Sequence, residues 1–200
     1  MKIMIIAGSH RENSESERVA RYIEGLLKGD QIESDLFSLQ DNPLPLWEEG
    51  AVKGDPDWKT LWQPVSARAR AAEGFVIVSP EWSGMVPAGL KNFFLLCNAN
   101  ELAHKPALIV TVSSGLGGSY PVSELRTSSY KNTRICYLPD HVIVRNCNLM
   151  LKGDSPANDH DASLRKRLAY CAKLLVQYTK ALALVRESGV IDLKNFPFGL

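Results

Sequence analysis

The residues best suited to chemistry stand at the front of the chain. An apolar run, Lys2-Ile3-Met4-Ile5-Ile6-Ala7, breaks into Gly8-Ser9-His10-Arg11-Glu12-Asn13-Ser14-Glu15-Ser16, and a helical pattern begins at once. A strand that ends in a hydroxyl-rich loop at the head of a helix forms an anion pocket. Backbone N–H groups point outward there, and the helix dipole favours negative charge. Ser9, Ser14 and Ser16 add hydroxyl donors and Arg11 adds a fork of charged donors. The competing reading is a surface loop whose serine only caps the helix. A triphosphate loop is excluded, because no Gly-Lys-Ser/Thr closes the segment, and the dinucleotide fingerprint is absent, because Gly8 stands where three glycines are needed. No cysteine nucleophile lies in the loop, so binding a phosphate fits better than cleaving one.

Two further segments have unusual chemistry. Pro80-Glu81-Trp82-Ser83-Gly84-Met85-Val86-Pro87 combines an aromatic wall with turn residues, and Ser113-Ser114-Gly115-Leu116-Gly117-Gly118-Ser119 offers backbone N–H groups with little side-chain obstruction. A flat polar ring needs that pairing of a stacking wall and edge donors. Taken singly, the first segment also reads as a rigid turn and the second as a flexible connector.

The elements that must position these loops alternate along the chain. Strands are predicted at Lys2 to Ala7, Ile32 to Leu39, Phe75 to Ser79, Ala107 to Ser113 and Val142 to Asn146. Helices are predicted from Ser14 to Leu27 with Gly29 as the stop, from an Asp57 cap through Ala72, from Pro87 at the first helical position, from Pro121 to Asn132, and from Asn158 or Asp161 onward to a tail at about Glu187. The polar stretch from Gln40 to Gln63 is long for a loop, so it is functional or contains a helix of its own. In the last helix, Leu164, Leu168, Cys171, Leu175, Tyr178, Leu182 and Val185 form a stripe that fits core packing or a dimer seam. This alternation implies an α/β fold with a parallel sheet and helices on both faces. In a flavodoxin-like strand order of 2-1-3-4-5, the three unusual loops converge at the carboxyl ends of neighbouring strands one, three and four, where such sheets bind ligands.

Composition sets the bounds. The chain has 200 residues, 45% of them hydrophobic, with a formal net charge of +1, and reads as a single domain over residues 1–200. No basic stripe points to nucleic acid, and no run approaches membrane-spanning length, so a soluble, cytoplasmic protein is expected. Cys97, Cys136, Cys147 and Cys171 form no Cys-x-x-Cys pair, and Cys97 and Cys171 fall on apolar helix faces. His10 lies in the anion loop, exposed or aiding an anion, and His104 and His141 are expected near strand starts. Asp154, Asp159, His160 and Asp161 read as a solvated loop leading into a helix cap rather than a metal site.

Several of these residues together resemble a known family. Gly8-Ser9-x-Arg11-x-x-Ser14 looks like the phosphate loop of the NAD(P)H-dependent FMN reductases. Pro80-Glu81-Trp82-Ser83-Gly84, followed by Pro87-x-x-Leu90-Lys91-Asn92, is similar to that family's Pro-Glu-Tyr-Asn-Gly segment and its helix, and Leu44-Pro45-Leu46 sits where relatives have a comparable motif. The resemblance spans roughly Met1 to Gly118. It implies a flavodoxin-like three-layer sandwich, bound FMN, and NADPH or NADH as electron donor. By position it assigns Ser9, Arg11, Ser14 and Ser16 to the FMN phosphate. It assigns Pro80, Glu81, Trp82, Ser83, Gly84, Ser114, Gly115 and Gly117 to the flavin ring. The chain departs from the pattern at Ser16, where relatives have asparagine, and at Trp82-Ser83, where they have Tyr-Asn.

A flavin brings its own chemistry, so no catalytic side chain and no metal is expected. The implied activity passes electrons from the nicotinamide through FMN to a small-molecule acceptor: free flavin, a quinone, an azo compound or an oxidised metal ion. The alternative is an FMN-binding electron carrier or redox sensor without nicotinamide turnover, and a third is a flavin-free interaction domain. Flavodoxin-type carriers tend to be acidic, which a net charge of +1 does not match. The family resemblance also implies a homodimer or homotetramer. Glu81 is expected either at the flavin edge or as a structural residue fixing the turn.

Overall fold

Continuous apolar runs flanked by amphipathic segments give five parallel strands: β1 (Lys2–Ala7), β2 (Glu33–Ser38), β3 (Gly74–Pro80), β4 (Pro106–Val112) and β5 (Cys136–Val144). Their order is β2-β1-β3-β4-β5, the flavodoxin-like order. β3 and β4 are buried at every residue, as expected for strands covered on both faces. The helices are α1 (Glu15–Gly29), α2 (Glu49–Lys53), α3 (Pro56–Ala71), α4 (Ala88–Leu96), α5 (Ala99–Leu102), α6 (Ser119–Ser128) and α7 (Asp159–Glu187). This computed structural model describes residues 1–199, the side chains of Val52 and Asp57 excepted.

The period of two along each strand divides the core into two layers. Ile3, Ile5, Val76, Val78, Leu108 and Val110 face α1 and α7, where they meet Val19, Ile23, Leu168 and Leu175. Met4, Ile6, Phe75, Ile77 and Ile109 face the other way, against Phe37, Leu90, Phe93 and Leu125. Each fully buried side chain of this kind contributes roughly 1.5–3 kcal/mol.

Several boundaries differ from the sequence reading. β5 starts at Cys136, not Val142, and contains Pro139 and His141. Pro139 marks a break in an interior strand, but β5 is an edge strand, where a missing N–H is tolerated, and its register shifts opposite Ala107 and Ile109. Pro87 is the N-cap of α4 rather than its first helical residue (φ −56°, ψ 142°). α3 begins at Pro56, which places Asp57 inside the first turn; its side chain lies outside the described residues. Gly29 closes α1 from within, and the chain turns only at Gln31 (φ 59°). α6 ends at Ser128, before Asn132.

The long polar stretch does hold a short helix, α2. Its start is fastened to α4 by Asn92, a buried amide that donates to the Pro45 carbonyl at 2.8 Å and accepts the Trp47 N–H at 2.7 Å. α7 corrects another expectation: by length and composition it is long and apolar enough to cross a bilayer. It nevertheless packs against β3, β4, β5 and α1 through Leu168, Cys171, Ala172 and Leu175. The stripe thins toward its end, where Val185 is exposed.

Candidate functional site

The first loop caps α1. Ser14 is extended (φ −72°, ψ 141°), and its hydroxyl accepts the Glu17 N–H at 3.2 Å. Among the described residues the N–H groups of Glu15 and Ser16 have no acceptor, as the first turn of a helix dictates. Ser9 and Ser16 are buried, and the Ser9 hydroxyl accepts the Arg11 N–H at 3.2 Å. Arg11 is exposed, and its guanidinium has no hydrogen-bond or ion-pair partner among the described residues. The nearby Glu15 carboxylate is bonded by Arg18 at 2.8 Å and 2.5 Å, so its charge is compensated. Arg18 also donates to the carbonyls of Cys147 and Leu151 and draws the segment after β5 to this corner.

The second loop is a small hairpin. Trp82 and Met85 exchange backbone hydrogen bonds of 3.1 Å and 2.9 Å around Ser83 (φ 51°) and Gly84 (φ 74°). Two consecutive left-handed residues make the type I′ turn, which glycine accommodates without strain. His10 from the first loop lies edge-on to Trp82.

Glu81 ties the second loop to the third. Its carboxylate accepts the N–H groups of Gly118 at 2.7 Å and Tyr120 at 3.3 Å, at the head of α6, where a negative charge is favourable. α6 answers with Glu124, which accepts the Val86 N–H at 2.7 Å and pairs with Lys91 at 2.6 Å. Burial opposes ionisation of Glu124, but Lys91 and the Val86 N–H outweigh it and hold the carboxyl below its usual value. The second loop and α6 are thus cross-tied by two carboxylates.

The three loops enclose a cavity of about 300 Å³. Ser9, Arg11, Ser14, Ser16, Pro80, Glu81, Trp82 and Ser114 line it; Ser83, Gly84, Gly115 and Gly117 do not. Sequence reasoning missed Glu12, Asn13, Glu15, Val112, Cys147 and Asn148 on its walls. The first three lie in the loop already singled out. Cys147 and Asn148 follow β5, whose end was misplaced, so no signal marked them. Burial pushes the Cys147 thiol up, which is the wrong direction for a nucleophile.

A larger cavity of about 380 Å³ lies between α4 and α6, lined by Val86, Phe94, Cys97, Leu125 and Thr133 among others. None of the assigned site residues reaches it, so volume alone does not locate the chemistry. Among the described residues no group of three His, Cys, Asp or Glu side chains is arranged to hold a metal. Asp161 departs from its expected solvated setting. It is fully buried and accepts the N–H groups of Leu151 (2.8 Å) and Ala157 (3.0 Å) and Nε of Arg165 (3.1 Å).

The donor set of the smaller cavity fits a mononucleotide. Free N–H groups at a helix head, a buried hydroxyl and an unpartnered guanidinium suit a phosphate, and a half-buried indole suits a ring. Residues 1–148 match the profile of the NADPH-dependent FMN reductase family. The chain belongs to that family. It is an FMN-dependent enzyme, an oxidoreductase with NAD(P)H as co-substrate. An FMN-dependent NADPH-azoreductase of Staphylococcus aureus is 28% identical over 171 residues, which is 84% of this chain and 90% of that protein. The flavoenzyme NAD(P)H:(acceptor) oxidoreductase FerB from Paracoccus denitrificans has a similar structure, with a TM-score of 0.70 at 16% identity over 90% of this chain and 97% of that one. An FMN-dependent NADH-azoreductase from Bacillus anthracis, solved in complex with FMN, gives a TM-score of 0.62 at 16% identity over 88% of this chain and 99% of that one. Both likenesses establish the flavodoxin-like fold.

Proposed function

We propose that FMN lies in the cavity at the tips of β1, β3 and β4, with its phosphate at the head of α1 and its ring between Trp82 and the Ser113–Gly118 segment. One observation carries this reading: the free N–H groups of Glu15 and Ser16, the buried Ser16 and the unpartnered Arg11 share a single cavity with Trp82. Ser9, Arg11, Ser14 and Ser16 hold the phosphate. Pro80, Glu81, Trp82 and Ser114 border the ring, and Ser83, Gly84, Gly115 and Gly117 shape the loops around it.

When bound, FMN would supply the redox chemistry between the nicotinamide and the acceptor. The chain's own work is placement. Arg11 supplies charge to the phosphate, Arg18 keeps the Glu15 carboxylate from repelling it, and Trp82 gives the ring an apolar wall. No side chain is assigned as acid or base. Donor and acceptor take turns at one exposed face, because no second nucleotide motif is present in the chain.

The acceptor in this reading is a small molecule: free flavin, a quinone, an azo compound or a metal ion. Azo compounds come first, because the Staphylococcus aureus relative is an NADPH-azoreductase. Residues 1–200 act as one FMN-binding domain, in a cytoplasmic homodimer or homotetramer, with α7 as a core helix and neither nucleic acid nor membrane as a partner. The packing of α7 against the sheet and α1 supports this. The deciding experiment is an absorption spectrum of the purified protein, followed by anaerobic NADPH. A flavin band that bleaches supports the enzyme; a flavin band that NADPH leaves unchanged favours an electron carrier, and a colourless protein that binds no added FMN overturns the site.

A further inference from the structure

The cavity between α4 and the end of α6, about 380 Å³, falls within the roughly 300–1,000 Å³ of small-molecule pockets. Its floor is apolar: Val86, Phe94, Cys97 and Leu125 line it, and each is buried. Its lip is cationic. Lys91 and Lys131 line it, and among the described residues no carboxylate side chain does. Lys131 is exposed, and its ammonium has no hydrogen-bond or ion-pair partner among the described residues. The last carbonyls of α6 would repel an anion, but hydroxyls occupy them. Ser128 donates to the Glu124 carbonyl at 2.6 Å, Ser129 to that of Leu125 at 2.9 Å, and Thr133 to that of Ser129 at 2.5 Å. An apolar floor below a free ammonium suits a ligand with a flat apolar body and one negative end.

The same cavity holds one end of the tie between α6 and the second loop. Glu124 stands next to Leu125 of the floor, accepts the Val86 N–H at 2.7 Å and pairs with Lys91 at 2.6 Å. Val86 follows Met85, whose backbone is hydrogen-bonded to that of Trp82. An anion at the lip competes with Glu124 for the Lys91 ammonium, so its arrival loosens the hold of Glu124 on Val86. We propose that this cavity is a second ligand site, for a small aromatic carboxylate, and that its occupancy is felt by the Trp82 hairpin through Glu124. The ring rests on Phe94 and Leu125, and the carboxylate meets Lys131 and Lys91. The proposal stands apart from the FMN reading of the smaller cavity, because neither lysine nor the floor belongs to that site.

The test titrates the full chain, as purified, with naphthoate and with neutral naphthamide by calorimetry, and follows amide exchange of the hairpin. Naphthoate binds once per chain, and naphthamide about tenfold more weakly, the loss of one charge-assisted hydrogen bond. Lys131→Gln weakens naphthoate by about the same tenfold and leaves naphthamide unchanged. Ser128→Trp, at the exposed lip, blocks both and serves as the second variant. Bound naphthoate speeds exchange of the Val86 amide, and Lys131→Gln needs correspondingly more naphthoate for the same effect. Naphthoate that binds Lys131→Gln as it binds the wild type, or that binds without changing exchange in the hairpin, overturns the proposal. So does a dimer that binds no naphthoate and that Ser128→Trp dissociates, a result that gives this face to a second copy of the chain.

Discussion

The imidazole of His10 stands edge-on to the indole of Trp82, with ring centroids 4.8 Å apart and planes at 88°. This contact joins the loop after β1 to the hairpin after β3. Edge-to-face pairs contribute about 0.5–1.5 kcal/mol beyond their area. A double-mutant cycle of His10→Ala and Trp82→Leu, measured by urea unfolding, gives a coupling energy in that range. Strictly additive effects would show that the two loops are energetically independent.

Arg11→Ala weakens FMN binding by about 1.5–3 kcal/mol, the value of a hydrogen bond to a charged group. Riboflavin, which lacks the phosphate, binds the variant as it binds the wild type. Fluorescence titration of both ligands reads the contrast, and an equal loss for the two would remove Arg11 from the phosphate.

Steady-state kinetics with NADPH and an azo or quinone acceptor give parallel double-reciprocal lines, because both substrates use one face in turn. Intersecting lines would require separate sites for the two.

Asp161→Asn destabilises the fold by about 3 kcal/mol, since two buried N–H groups and Arg165 lose a charged acceptor. Burial opposes ionisation of Asp161, but the Leu151 and Ala157 N–H groups and Arg165 outweigh it and hold the carboxyl below the usual aspartate range. The folded value is depressed, so the stabilisation is complete above the unfolded value and is lost as pH falls through the folded one. Denaturant titrations between about pH 6 and pH 3 show the wild type losing stability that the variant never had.

Gly118→Ala costs about 2–4 kcal/mol and loosens the third loop, by a strained backbone together with overpacking. Gly118 has φ 101°, and an added Cβ would collide with Cγ2 of Ile143 and come within 3.2 Å of Oγ1 of Thr111. A thermal melt and an FMN titration report the two effects separately.

The sheet order and the loops after β1 and β3 were legible because their signals are local. An apolar run ending in Gly8-Ser9 and a Pro80-Glu81-Trp82 turn announce themselves within a few residues. What stayed hidden depends on distant partners. The fifth strand was read from Val142 only, and its first half, with Pro139 inside it, is a strand because β5 lies at the sheet edge. Asp161 read as a solvated cap because its acceptor role depends on the N–H groups of Leu151 and Ala157, which only the folded loop brings near. Glu81 was left between two roles, and the donors that give it a structural one, Gly118 and Tyr120, lie almost forty residues away. Asn92 was quoted as part of a motif, and its grip on Pro45 and Trp47 gives that motif a reason.

Pro139 has a further effect at the rim of the sheet. It is exposed, it lacks a donor, and it sits near the register shift of β5, so that border is a poor template for a stranger's backbone. The opposite border, β2, starts with the charged Glu33 and carries Asp35 paired to Arg68. Neither rim invites ladder growth between molecules. Copies of this protein that associate must therefore meet through helices and loops, which leaves the strand framework unaltered by assembly.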